Sequence, residues 1–117
     1  MAAPNIVNVA TITGKTAVQA VGTSATAIVT NSAASGKVFK VNALYVSNVD
    51  GTASADITVD LFRSSTAYPI ASTIAVPADA TLDIMSKAIY LEEGDTLRCT
   101  ASAAGDLTAV CSYEEIS

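Results

Sequence analysis

The sequence predicts an all-β protein: a single antiparallel β-sandwich of jelly-roll type, with about eight to nine short strands and little or no helix. Three observations carry that prediction. Hydrophobic residues make up 50% of the 117 residues but aromatics only 5%, and Trp is absent. The apolar content is therefore Ala, Val, Ile and Leu, small and β-branched side chains that suit a pleated surface better than a helix. Apolar and polar residues alternate in short runs bounded by Gly, Pro, Asp and Asn, and no stretch keeps an apolar stripe of helical period for three turns. A chain of this length forms one domain, residues 1–117, with enough buried surface to fold without a metal or a disulfide staple.

The elements follow in order. Pro4 to Thr13 reads as a first strand, apolar on both faces, broken by Gly14-Lys15. Lys15 to Val21 and Ala25 to Thr30 follow as short strands around Gly22-Thr23-Ser24, and Asn31 to Gly36 is a loop. Lys37 to Asn48 is the longest strand, and Asp50-Gly51 after it is a hairpin signal. The return strand, Ala55 to Arg63, alternates most cleanly: Ile57, Val59 and Leu61 point inward, Asp56, Thr58 and Asp60 to water. Pro69 marks an edge or a strand start before Ile70 to Val76. Thr81 to Met85 and Ile89 to Leu91 are separated by Ser86-Lys87, a bulge or a corner where the chain changes sheet. In the last quarter Leu97, Cys99 and Ala101, then Leu107, Ala109, Cys111 and Tyr113, share apolar parity. A hairpin closing around Gly105 sets Cys99 roughly opposite Cys111.

Charge is unevenly spread. Eleven acidic residues against six basic ones give a net charge of −5, which disfavours nucleic acid and anionic membrane surfaces as partners. No segment has the unbroken apolar length of a transmembrane helix. The N-terminus carries neither the basic residues nor the apolar core of a signal peptide, so synthesis in a cytoplasm is expected. Across residues 1–36 the one charged side chain is Lys15. Such a segment is either a small-residue edge sheet, wet but uncharged, or a contact surface for neighbouring subunits, since interface centres are depleted of charge. The second reading makes Ile6, Val7, Val9, Ile12, Val18 and Ile28 the expected interface residues.

Catalytic apparatus is hard to assemble from this chain. It has no His, the commonest general base and metal ligand. Cys99 and Cys111 share the apolar parity of their strands and read as buried, unreactive thiols, with a bridge between them left open. Glu92, Glu93 and Asp95 on one tight turn are the best candidates for holding a hard cation, but the loop is short for Ca²⁺, and a solvated acidic turn is the favoured reading. Neither a cofactor nor an enzymatic activity is expected.

Several runs carry a resemblance: Lys37-Val38-Phe39-Lys40-Val41, Leu44 to Gly51, Tyr90-Leu91-Glu92-Glu93-Gly94-Asp95-Thr96-Leu97, and the terminal Ser112-Tyr113-Glu114-Glu115-Ile116. Over nearly its whole length the chain resembles small virion structural proteins of tailed bacteriophages, of the type found in phages of cyanobacteria and marine bacteria. The resemblance implies a non-enzymatic β-sandwich present in many copies in a virion and made in the host cytoplasm. Its partners would be other virion proteins, major capsid or neck and tail subunits, and further copies of itself. A capsid decoration or cement protein bridging neighbouring subunits is the leading expectation. A neck, collar, tail or fibre attachment protein is the alternative. From another class, a small sandwich that binds a host glycan or receptor would need exposed aromatics, and Tyr68 is the one ring expected on a loop.

Overall fold

A computed structural model describes residues 4–117; residues 1–3 of the uncharged N-terminal segment lie outside the described part. Among the described residues there are nine strands and no helix. They are β1 (Ile12–Ala20), β2 (Thr26–Thr30), β3 (Val38–Asn48), β4 (Ala55–Arg63), β5 (Thr66–Val76), β6 (Thr81–Asp83), β7 (Ile89–Leu91), β8 (Thr96–Ala101) and β9 (Leu107–Ile116). Two antiparallel sheets result. Sheet A runs β1-β9-β3-β6, with β7 also paired to β3; sheet B runs β2-β8-β4-β5. The predicted all-β sandwich is the fold observed.

The core lies between the sheets and is built as the composition requires, from aliphatic side chains of alternating parity. Val41, Leu44, Val46, Leu107, Ala109 and Cys111 enter from sheet A, and Ile57, Val59, Leu97, Cys99 and Ala101 from sheet B. Leu44, Ile57, Leu91 and Leu97 are among the largest fully buried side chains. Burial of that kind stabilises by about 1.5–3 kcal/mol per large aliphatic side chain.

Connectivity departs from the sequence reading at several points, mostly for one reason. Alternation shows which face of a strand is buried, but a sandwich has two sheets that bury the same kind of face, so parity cannot say which sheet the next strand joins. The closing hairpin is not formed: β8 pairs with β2 and β4, whereas β9 pairs with β1 and β3. The turn around Gly105 carries the chain across the sandwich, and Cys99 and Cys111 enter the core from opposite sheets. Asp50-Gly51 likewise joins β3 of sheet A to β4 of sheet B. The hairpin that does form between neighbouring long strands, β4–β5, turns on Ser64 and Ser65, both at positive φ (51° and 60°), as the twist of a two-residue hairpin turn requires.

Three further differences are local. Of the expected strand Pro4 to Thr13 only Ile12 and Thr13 are in a strand, as the start of β1; ahead of them the side-chain oxygen of Asn5 accepts the Val7 N–H (3.0 Å) and its backbone carbonyl accepts the Asn8 N–H (3.0 Å), winding that part into a turn. Gly14 does not break the chain but sits inside β1, which pairs with β9 without interruption from Ile12↔Ile116 to Ala20↔Thr108. At Ser86-Lys87 the chain neither bulges nor changes sheet: β6 and β7 both pair with β3, at Tyr45–Ser47 and Phe39–Val41, and buried Met85 lies between them.

Two buried asparagines hold the loops at the ends of the sandwich. Asn31 Nδ2 donates to the carbonyls of Lys37 (2.9 Å) and Leu91 (3.0 Å), and its Oδ1 accepts from Ser35 Oγ (2.6 Å). Asn48 Nδ2 donates to the carbonyls of Ala53 (3.0 Å) and Val76 (2.9 Å), while its Oδ1 accepts the Asp50 N–H (2.9 Å). Each satisfies backbone groups that would otherwise be orphaned where strands end.

Candidate interaction surface

The carboxylates and thiols expected to be the candidates for chemistry are engaged in structure. The guanidinium of Arg63, at the end of β4, grips the turn between β7 and β8. Its Nε donates to Asp95 Oδ1 (2.7 Å), and its Nη2 donates to the other Asp95 oxygen and to Glu92 Oε2 (2.8 Å). The Glu92 N–H also donates to Asp95 (2.8 Å), whereas Glu93 turns away to accept the Gly36 N–H (2.9 Å). Glu92 and Asp95 thus converge on Arg63 while Glu93 goes to the Gly36 N–H, and among the described residues no group of three carboxylates or thiols is placed to hold a metal ion. Nor is the turn simply solvated, because Asp95 is buried, at 1% exposure. Burial opposes its ionisation, but the bonds from Arg63 and Glu92 and the charge of Arg63 prevail and hold the carboxyl below its ordinary value.

Asp60, expected to face water, is also buried. It takes Arg98 Nε (2.8 Å) and Nη2 (3.2 Å) from the neighbouring strand, and the Arg98 guanidinium lies 4.0 Å from the centre of the Phe62 ring. Glu115 is bonded by both Lys15 (2.7 Å) and Lys37 (3.1 Å). The hydrogen bond from Lys15, then that from Lys37, lowers its carboxyl against the opposing effect of burial. Cys99 and Cys111 are buried free thiols; burial pushes them up to about 12 and about 11. The described residues enclose no pocket, and no helix is long and apolar enough to cross a membrane.

Part of the outer face of sheet A is uncharged. Of the expected interface residues, Ile6 (50%), Val7 (90%), Ile12 (54%) and Val18 (76%) are exposed. Val9 is half-buried, and half-buried Ile28 packs against the core and so offers little to a neighbour. The pairing registers show a feature that linear reading missed. Val18 of β1 lies beside Val110 of β9, and Val110 lies beside Tyr45 of β3, a row of exposed apolar side chains across the outer face of sheet A. The neighbouring outward positions are Thr16, Ala20, Thr108, Ser112 and Ser47. Three tyrosines, not Tyr68 alone, are exposed: Tyr45 (44%), Tyr68 (53%) and Tyr90 (42%), all on strands. Ile70 and Ile74 on β5 are exposed too, and the register shifts along this strand set Ala71, not Ile70, beside inward-facing Val59.

No family model matches the chain, and no curated protein sequence does. Among solved structures the fold is similar to that of a protein from Bacillus endospore appendages, a family of disulfide-linked pili, with a TM-score of 0.54 at 17% identity over 92% of this chain and 88% of that one. It is also similar to a chain of the capsid of Helicobacter pylori bacteriophage KHP30, with a TM-score of 0.53 at 7% identity over 94% of this chain and 90% of that one. At these identities the similarity is one of fold.

Proposed function

We propose that the chain is a non-enzymatic structural subunit of a bacteriophage particle, of the kind its sequence resembles, and that it serves as a capsid decoration protein bridging neighbouring subunits. The observation that carries this reading is the largely exposed stretch of residues 4–20, whose one charged side chain is Lys15, with its continuation into the Val18–Val110–Tyr45 row. Supporting it, the sandwich fold is shared with a phage capsid chain and a pilus-forming appendage protein. Glu92, Asp95 and Asp60 are held in ion pairs, and both cysteines are buried free thiols. The net negative charge suits a particle's outer surface better than a DNA-lined interior.

Quantitative mass spectrometry of purified particles tests the proposal. A copy number that matches the capsid lattice supports decoration, and one that matches a single ring or fibre set moves the protein to the neck or tail. Absence from particles overturns the structural reading. A second reading, a glycan- or receptor-binding sandwich, draws on the exposed rings of Tyr45, Tyr68 and Tyr90. A glycan array probed with the purified protein separates it from the first: tight binding by the isolated subunit would favour recognition over bridging.

A further inference from the structure

A sandwich of two open sheets has four edge strands, and proteins blunt such edges by shortening, bulging, Pro or charge. Three of the four here are blunted. β2 has five residues and a register shift between Ala27 and Val29. The β6/β7 edge is two pieces of three residues each, with Asp83 and Lys87 between or beside them. β5 is long, but it contains Pro69, shifts register twice against β4, and turns the Thr73 N–H inward to Thr58 Oγ1 at a positive φ of 47°. β1 has none of these devices. Its nine residues run in unbroken register along β9, and its one charged side chain, Lys15, is drawn to Glu115 of its own sheet.

We propose that β1 is an assembly edge whose occupant is β1 of a second copy of this chain, paired antiparallel about a two-fold axis so that sheet A continues from one subunit into the next. This rests on the structural reading above and names the contact it uses. The second copy is the fitting partner for three reasons. With the other edges blunted, an edge-to-edge contact between copies has β1 on both sides, the self-complementary arrangement of a two-fold dimer. The register centred on Thr16 sets Lys15 opposite Ala17 of the other copy, so no like charges meet. The same register sets Val18, 76% exposed, opposite Gly14, where a side-chain carbon would find nothing within 4 Å. A glycine inside a strand weakens it, and is often found where another backbone approaches closely. Gly14 then provides the hollow that Val18 covers.

The test uses the full chain with Thr16, exposed and near the centre of β1, replaced by Glu or by Lys, each checked by thermal melting for an intact fold. Sedimentation equilibrium is expected to show a wild-type dimer, with T16E and T16K each associating about tenfold more weakly or less, as like charges meet on the axis. An equimolar mixture of the two is expected to recover association, and native mass spectrometry should find the mixed dimer. Oxidation of T16C is expected to cross-link two copies. A wild-type monomer at all concentrations overturns the inference, as does a dimer indifferent to Thr16, or T16C cross-linking in particles to a different protein. If the chain is monomeric yet present in particles, the edge pairing fails while the structural reading stands; if it is dimeric and absent from particles, the reverse holds.

Discussion

Asp95 shows how a single side chain can be misread from composition and corrected by its surroundings. In the sequence it belongs to an acidic turn; in the fold it is the buried anchor between Arg63 and the Glu92 N–H. Asp95→Asn keeps the volume but removes the charge and one acceptor, leaving the guanidinium without its bidentate partner. The expected loss of stability is about 2–3 kcal/mol, read from urea denaturation. A change within the scatter of surface substitutions would mean that solvent serves Arg63 equally well. The same residue sets a pH dependence. Its folded carboxyl, like that of Glu115, lies below the ordinary value, so near pH ~4 the unfolded chain binds more protons than the folded one. The contribution is complete above that pH and is lost as pH falls through the folded values. The melting temperature is therefore expected to drop on acidification through this range, and to drop less in Asp95→Asn. The ion pair was not legible beforehand because Arg63 ends β4 and Asp95 immediately precedes β8, and only the pairing of these two strands, which reaches Phe62↔Thr96, brings them together.

At the scale of elements, alternation proved a good guide to faces and a poor one to neighbours. β4 was legible because Ile57 and Val59 are both fully buried and lie beside Ala101 and Cys99 of β8. Ile57→Ala is expected to cost about 2–4 kcal/mol through lost burial and the cavity left behind, measured by denaturation. A neutral result would mean that the core collapses around the gap. β5 had the same pattern, yet Ile70 and Ile74 are exposed. Ile74 lies beside Ile57, but the register shifts against β4 set Ala71 and not Ile70 beside Val59, so the alternation does not hold along the whole strand. The N-terminal run had β-branched residues on both parities and still became a turn, since Asn5 bonds its own backbone more locally than any strand partner does. In the candidate surface, the lack of charge could be read directly from the sequence. The Val18–Val110–Tyr45 row could not, because its members come from three strands whose order in the sheet is not written in their spacing.

For the whole molecule, the two sheets are sewn together by a chain that crosses between them at most of its connections, so that few strands pair with their sequence neighbours. Non-local pairing of this kind makes folding slow compared with helical domains of similar size. It also makes the fold cooperative. A chain ending at Asp106 lacks β9, and with it the central strand between β1 and β3. Such a chain is expected to show no cooperative thermal transition by circular dichroism, whereas removing residues 4–9 together with those before them is expected to leave the transition in place, since residues 4–9 contribute no strand.

The pairing of β1 with β9 also orders events in time. β9 follows all eight other strands in the chain, so β1 gains its neighbour in sheet A only after every strand between them has been made. The edge proposed for a second copy therefore cannot form before β9 does. A product that stops short of β9 would have no such edge to offer, and the order of the strands would itself keep it out of an assembly.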